Sequence, residues 1–212
     1  MIRTSSARRL RAALGVAAAV AALTACGAGP ARQGAAAVVG DERISIAQVE
    51  ARVGAVRDGV AAQAADTRAG AAQEQPGLTR HAVSDLILAK VVDRALADRH
   101  LDVSAAEVDA ARAGDARTVG SDAALVQLLL TKQGVPADGI DAFYRRQVGL
   151  AKLAGGQDPS GPEGDAAIRK ALVDAGTALH ITVNPRYGNW NAARIGMTDT
   201  LDNWLPAMLP LQ

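Results

Sequence analysis

Read for its apolar positions, the chain alternates short extended runs with longer stretches of helical period. Ala35 to Ile44 (AAAVVGDERI) holds two brief apolar runs around Gly40-Asp41, which predicts a small β-hairpin. Ser45 followed by Gln48 is a capping box, with Ile44 and Val49 in the staple positions around it. Beyond it Ile46, Val49, Val53, Val56 and Val60 recur every three or four residues, one stripe of an amphipathic helix that fades near Asp66. Gly70, Pro76 and Gly77 then mark a loop.

Thr79 is placed to cap a second helix running to about His100. Its expected buried face is Val83, Leu86, Ile87, Val91 and Leu96, with Asp85, Lys90, Asp93, Arg94 and Asp98 outside. Leu101 to Val103 reads as a short extended link. Ser104 with Glu107, and Val103 with Val108, then repeat the capping box and staple. A further helix covers Asp122 to Lys132 and stops at Gly134. Pro136 opens the next, Ala137 to Ala154, with Ile140, Phe143, Tyr144, Val148 and Ala151 on one side and Gly155-Gly156 at its end. Gln157 to Gly164 (QDPSGPEG) reads as a loop, and Asp165 to Leu179 as a last helix burying Ile168, Leu172 and Ala175. His180 to Val183 alternates like a strand. The remainder from Asn191 has no clear period, with Trp204 and Leu205 as candidates to dock.

The hairpin and the lone strand each leave backbone groups unpaired, so one small sheet joining them is expected. Tyr187 and Trp190 would follow it as a lid over the core. The fold class is therefore mostly α, with a small β-sheet formed by strands at both ends.

The first residues change this picture. Arg3, Arg8, Arg9 and Arg11 precede an apolar run from Ala12 to Ala22, too short to span a bilayer, and Leu23-Thr24-Ala25-Cys26 follows. This reads as a secretory signal over 1–25. The tetrapeptide resembles a bacterial lipobox, which implies cleavage before Cys26 and lipidation of its thiol. Residues 26–35 would be the lipidated cysteine and a flexible tether, 36–190 the helical domain and 191–212 a tail. Membrane attachment would come from the lipid on Cys26, at the extracytoplasmic face.

Composition narrows the chemistry. The whole chain carries a formal charge of +1, but the part from Cys26 on has 19 bases against 22 acids, a net of −3. Aromatic residues make up only 2% of the chain. Near-neutral charge with so few rings disfavours nucleic acid as a partner. One cysteine excludes an internal disulfide, and no metal or cofactor is expected. His81 and His100 fall at opposite ends of one helix and cannot share a ligand, and His180 reads as a surface residue. Ser45 and Ser104 read as caps rather than nucleophiles. Asn184, Pro185, Arg186, Tyr187, Gly188 and Trp190 form the most distinctive cluster: a peptide-binding surface, or, as favoured here, a structural turn with an aromatic cap.

The order of lipobox, V-V-G-D-E-R-I-S-I-A-Q-V-E and S-D-L-I-L-A-K-V-V-D-R-A-L-A-D-R-H-L-D-V-S-A-A-E-V-D-A resembles the amino-terminal domain of the SurA/PrsA family of extracytoplasmic foldases. The pattern covers Val38 to Leu153, and I-T-V-N-P-R-Y-G-N-W resembles the closing strand of the family's short lipoprotein members. In that family a parvulin prolyl isomerase domain can be inserted after the helical body. Here only Gly155 to Gly164 lies at that place, where a domain needs at least ~50 residues. The resemblance implies the chaperone module without the isomerase, and no catalytic residue carries over. The expected function is an ATP-independent holdase for unfolded or partly folded secreted polypeptides, binding them in a broad apolar groove. The alternatives are an adaptor lipoprotein with one specific envelope partner, then a small-molecule-binding protein, with an enzyme last.

Overall fold

The structure is a computed structural model that describes residues 34–67 and 76–199. The lipobox, Trp204 and Leu205 lie outside the described residues. Strands β1 (Ala35–Val39) and β2 (Glu42–Ser45) form the expected hairpin, turning at Gly40, whose φ of 59° suits a residue without a Cβ. The register slips by one residue between Ala35 and Ala37. That bulge lets Ala35, Ala36 and Ala37 all be buried in succession, where strict alternation would turn every second residue outward.

The Ser45 capping box forms as read. The Ser45 amide donates to Gln48 Oε1 at 2.7 Å and the Gln48 amide to Ser45 Oγ at 3.1 Å. Helix α1 (Ile46–Thr67) starts directly after it and buries Val49, Val53 and Val56, with Ile46 and Val60 packed at the margin.

Helix α2 (Leu78–Ala97) is central, packing against β1, α1 and the later helices. It buries Val83, Ile87, Val91 and Leu96 as expected, together with Ala82, Val92 and Ala95, while Leu86 is only half-buried. Thr79 is not its cap. Gly77, at φ 79°, occupies the N-cap position, and Thr79 already lies within the first turn, where its backbone cannot take the extended cap conformation. The helix also stops before His100. His100 takes φ 55° and donates its amide to Ala97 O, while Leu101 donates to Leu96 O, the two bonds of a Schellman motif.

Helix α3 (Ala105–Val119) begins at the second capping box, its Ser104 amide 2.9 Å from Glu107 Oε2. Lys152 adds an ion pair to the same carboxylate at 2.6 Å. Hydrogen bonds from Lys152 and from the Ser104 amide and hydroxyl lower the Glu107 pKa from its ordinary 4.5 to about 2. Because the folded value is depressed, its stabilising contribution is complete above pH 4.5 and is lost as pH falls towards about 2. The gap in thermal midpoint between the native chain and Glu107→Gln should therefore be constant above that range and close within it. Ser104→Ala should cost about 1 kcal/mol, a few degrees of midpoint. Midpoints that do not move in either variant would remove the cap from the account.

Helix α4 (Asp122–Gln133) starts at Ser121, whose Oγ accepts from the Ala124 amide, and ends at Gly134 in the left-handed region. A 3-10 turn (Ala137–Gly139) then leads into α5 (Ile140–Leu153). Ile140, Phe143 and Tyr144 are buried as expected, and the two rings meet edge to face at 5.3 Å. Ala151 is exposed instead, and Gly149 and Leu153 are buried. The cause is the crossing with α2. A Cβ on Gly149 would come 3.0 Å from Leu96 and 3.2 Å from Val92, so the bare glycine lets the helices close at that point.

Helix α6 (Pro162–Ala178) begins earlier than the expected Asp165, with Pro162 at its first position and Glu163 and Asp165 in the first turn. Its Leu172 and Ala175 are buried as expected and Ile168 packs at the margin. His180, at φ 45°, ends the helical course, so β3 is Thr182–Val183 rather than His180 to Val183. β3 pairs antiparallel with β1, Ala37 opposite Val183 and Val38 opposite Thr182, giving the order β2-β1-β3. The two ends of the domain therefore meet in one sheet.

The first part of the expected aperiodic tail has regular structure. Strands β4 (Asn189–Asn191) and β5 (Gly196–Thr198) form a second hairpin, with Trp190 opposite Met197. The boundary placed between Trp190 and Asn191 falls inside β4.

Candidate functional site

The Asn184 to Trp190 cluster follows β3 directly. Asn184 donates its amide to Ala36 O at 2.8 Å and its side-chain nitrogen to Ala35 O at 3.4 Å. Its Oδ1 accepts from the Arg186 amide, which caps the 3-10 turn Pro185–Tyr187. Asn184 thus ties the turn to the sheet. Trp190 is half-buried, with its indole nitrogen over Gly176 of α6, near Ala192 and Val91. That nitrogen has no hydrogen-bond partner among the described residues. Tyr187 packs against the same core, and exposed Arg186 lies with its guanidinium 6.0 Å from the Tyr187 ring centre. Gly188 is needed for close approach, since a Cβ there would come 2.5 Å from Thr198 O. Asn184, Tyr187, Gly188 and Trp190 are engaged with the sheet, the core or β5, and Pro185 and Arg186 are exposed.

Two open grooves flank the start of α2. One, of about 600 Å³, is bounded by Thr79 and Arg80 of α2, by Arg186 and Tyr187, and by Asp199, which pairs with Arg80. The other, of about 660 Å³, lies between α1, α2, the end of α4 and the middle of α5. Its apolar floor is Val56, Leu78 and Ala82, and its rim carries Arg52, His81, Lys132 and Arg146 with the single carboxylate of Asp85. Both of these grooves have a mixed polar and apolar lining. No sequence signal marked the second one, because its rim residues lie on separate helices and each reads alone as a solvated charge.

Of the other candidates, Ser45 and Ser104 are engaged as caps. His81 is exposed beside the second groove, His100 follows the end of α2, and His180 is exposed after α6. Among the described residues no group of three His, Cys, Asp or Glu could hold a metal ion, and no helix is long and apolar enough to cross a membrane. Cys26, Leu23, Thr24 and Ala25 lie outside the described residues.

Residues 1–153 match the family described as SurA-like N-terminal domain. The chain belongs to that family. The match ends at the last residue of α5, and within the described residues it takes in the hairpin and helices α1 to α5. Helix α6, β3 and the second hairpin lie beyond it. No curated protein and no solved structure matches the chain. A SurA-like N-terminal domain is a chaperone-type domain of extracytoplasmic proteins and binds polypeptides.

Proposed function

We propose that this protein is a lipid-anchored holdase of the extracytoplasmic face, which transiently shields unfolded or partly folded secreted chains without ATP and without prolyl isomerase activity. The observation that carries the reading is the family match, which spans more than two-thirds of the chain. The anchor rests on the Leu23-Thr24-Ala25-Cys26 tetrapeptide behind its short apolar run. The absence of an isomerase rests on the connection from α5 to α6. Residues 154–161 are a tight turn in which Gln157 donates to Ala154 O and Gly161 to Asp158 O. A Cβ on Gly164 would overlap the backbone of Asp158, so α6 sits directly on that turn.

Crosslinking in intact cells tests the reading. The expected result is a set of unrelated secreted polypeptides, each captured in a small and variable fraction. One partner recovered stoichiometrically would make the protein an adaptor. The purified protein should leave a proline-peptide isomerisation assay at the buffer rate, and acceleration proportional to its concentration would overturn that part.

A further inference from the structure

The groove between α1, α2, the end of α4 and the middle of α5 concentrates positive charge in a body that is acidic from Cys26 onward. Its one carboxylate, Asp85, is already taken by Arg146 at 3.6 Å. Arg146 is held in place, its side chain 18% exposed and its guanidinium 5.6 Å from the Phe143 ring centre. Arg52 lies against Gly139, where any Cβ would overlap its guanidinium. Lys132 stands exposed at the rim. Neither Arg52 nor Lys132 forms an ion pair among the described residues.

We propose that this groove takes an extended segment of a client polypeptide that carries an Asp or Glu beside an apolar side chain. The proposal rests on the polypeptide-binding reading above and names the substrate class for it. The apolar floor of Val56, Leu78 and Ala82 supplies the non-directional part of the contact. The selective part is the pairing of a client carboxylate with Arg52 and Lys132, two cations without an ion-pair partner among the described residues. Packing already orients Arg52, so little freedom is lost when a carboxylate arrives. Among the described residues no Phe, Tyr or Trp lines the groove, so it lacks the broad stacking platform that a single-stranded nucleic acid would use.

The test uses the full chain reconstituted in phosphatidylcholine vesicles and a fluorescent extended peptide in two forms, one with Asp and Glu and one with Asn and Gln at the same positions. The acidic form should bind about three- to tenfold more tightly, the range two partly exposed charge pairs give, and the difference should shrink with added salt. Arg52→Gln with Lys132→Gln should bring the two forms within about twofold. Lys132→Glu alone, a change on an exposed rim, should reduce the preference while leaving the helical circular-dichroism signal unmoved. Equal binding of both peptides by the native chain would overturn the proposal while leaving general polypeptide binding intact. Binding of neither peptide would overturn both. Repeating the titration in vesicles containing phosphatidylglycerol separates out a lipid phosphate. Loss of the acidic preference there would assign the groove to the membrane surface and overturn the polypeptide assignment.

Discussion

Deleting Ile181 to Trp190 should lower the thermal midpoint of the whole domain by roughly 10–20 °C, rather than trim a detachable end. The deletion removes β3, so the edge of β1 that faced Thr182 and Val183 loses its partner. It also removes the two hydrogen bonds from Asn184 to Ala35 and Ala36, buried Val183, and Trp190 and Tyr187 against the core. Burial of one valine and parts of two rings, with about four hydrogen bonds, amounts to roughly 5 kcal/mol. A domain of this size holds only about 5–15 kcal/mol of net stability, so such a loss is global in effect. Helix α6 would be exposed at Gly176, and β5 would lose β4. Thermal unfolding followed by circular dichroism at 222 nm reads the result. A midpoint and helical signal equal to those of the native chain would mean that the strand contacts contribute nothing, against the pairing described here.

The second large effect is one of location. Cys26→Ala should move the protein out of the membrane fraction or block its processing, because the thiol is the only site in the chain for a thioether-linked lipid. The part of the chain from Cys26 on is net acidic, so electrostatic attraction to anionic lipid does not offer a second hold. A single acyl chain gives weak and reversible binding, and stable anchoring needs more than one. A lipobox cysteine carrying a diacylglycerol meets that need, and its loss should be close to complete in fractionation. Normal processing with unchanged membrane retention in the variant would contradict the anchor.

Features fixed by nearest neighbours were legible from the sequence. Both capping boxes, the Gly40 turn and the α1 stripe depend on residues within a few positions of each other, and each formed as read. The pairing of β1 with β3 was legible too, from unpaired strands that had to find partners. The stop at Gly134 forms as expected, while the helix starts at Gly77 and Pro162 differ from expectation. Pro162 lies in a segment of loop composition, yet proline is well suited to the first helical position, and Glu163 and Asp165 favour the helix start behind it. At α2 the sequence offers the side-chain cap Thr79, while the fold uses the backbone freedom of Gly77.

Tertiary contacts set the remaining differences. Ala151 continues the apolar stripe of α5 but is exposed, while Gly149 meets Leu96 and Val92 of α2 closely and Leu153 is buried. The β4-β5 hairpin is three residues a side, too short for any period to register. The cationic groove is assembled from Arg52, Lys132 and Arg146, which no local pattern links.

The central claim is that this chain holds unfolded polypeptides. Light scattering during the aggregation of several unrelated denatured proteins measures it most directly, with the purified protein added in rising amounts and no nucleotide present. The account predicts that scattering falls with protein concentration for every client tested. Scattering unchanged for all of them, or lowered for a single client alone, would contradict it.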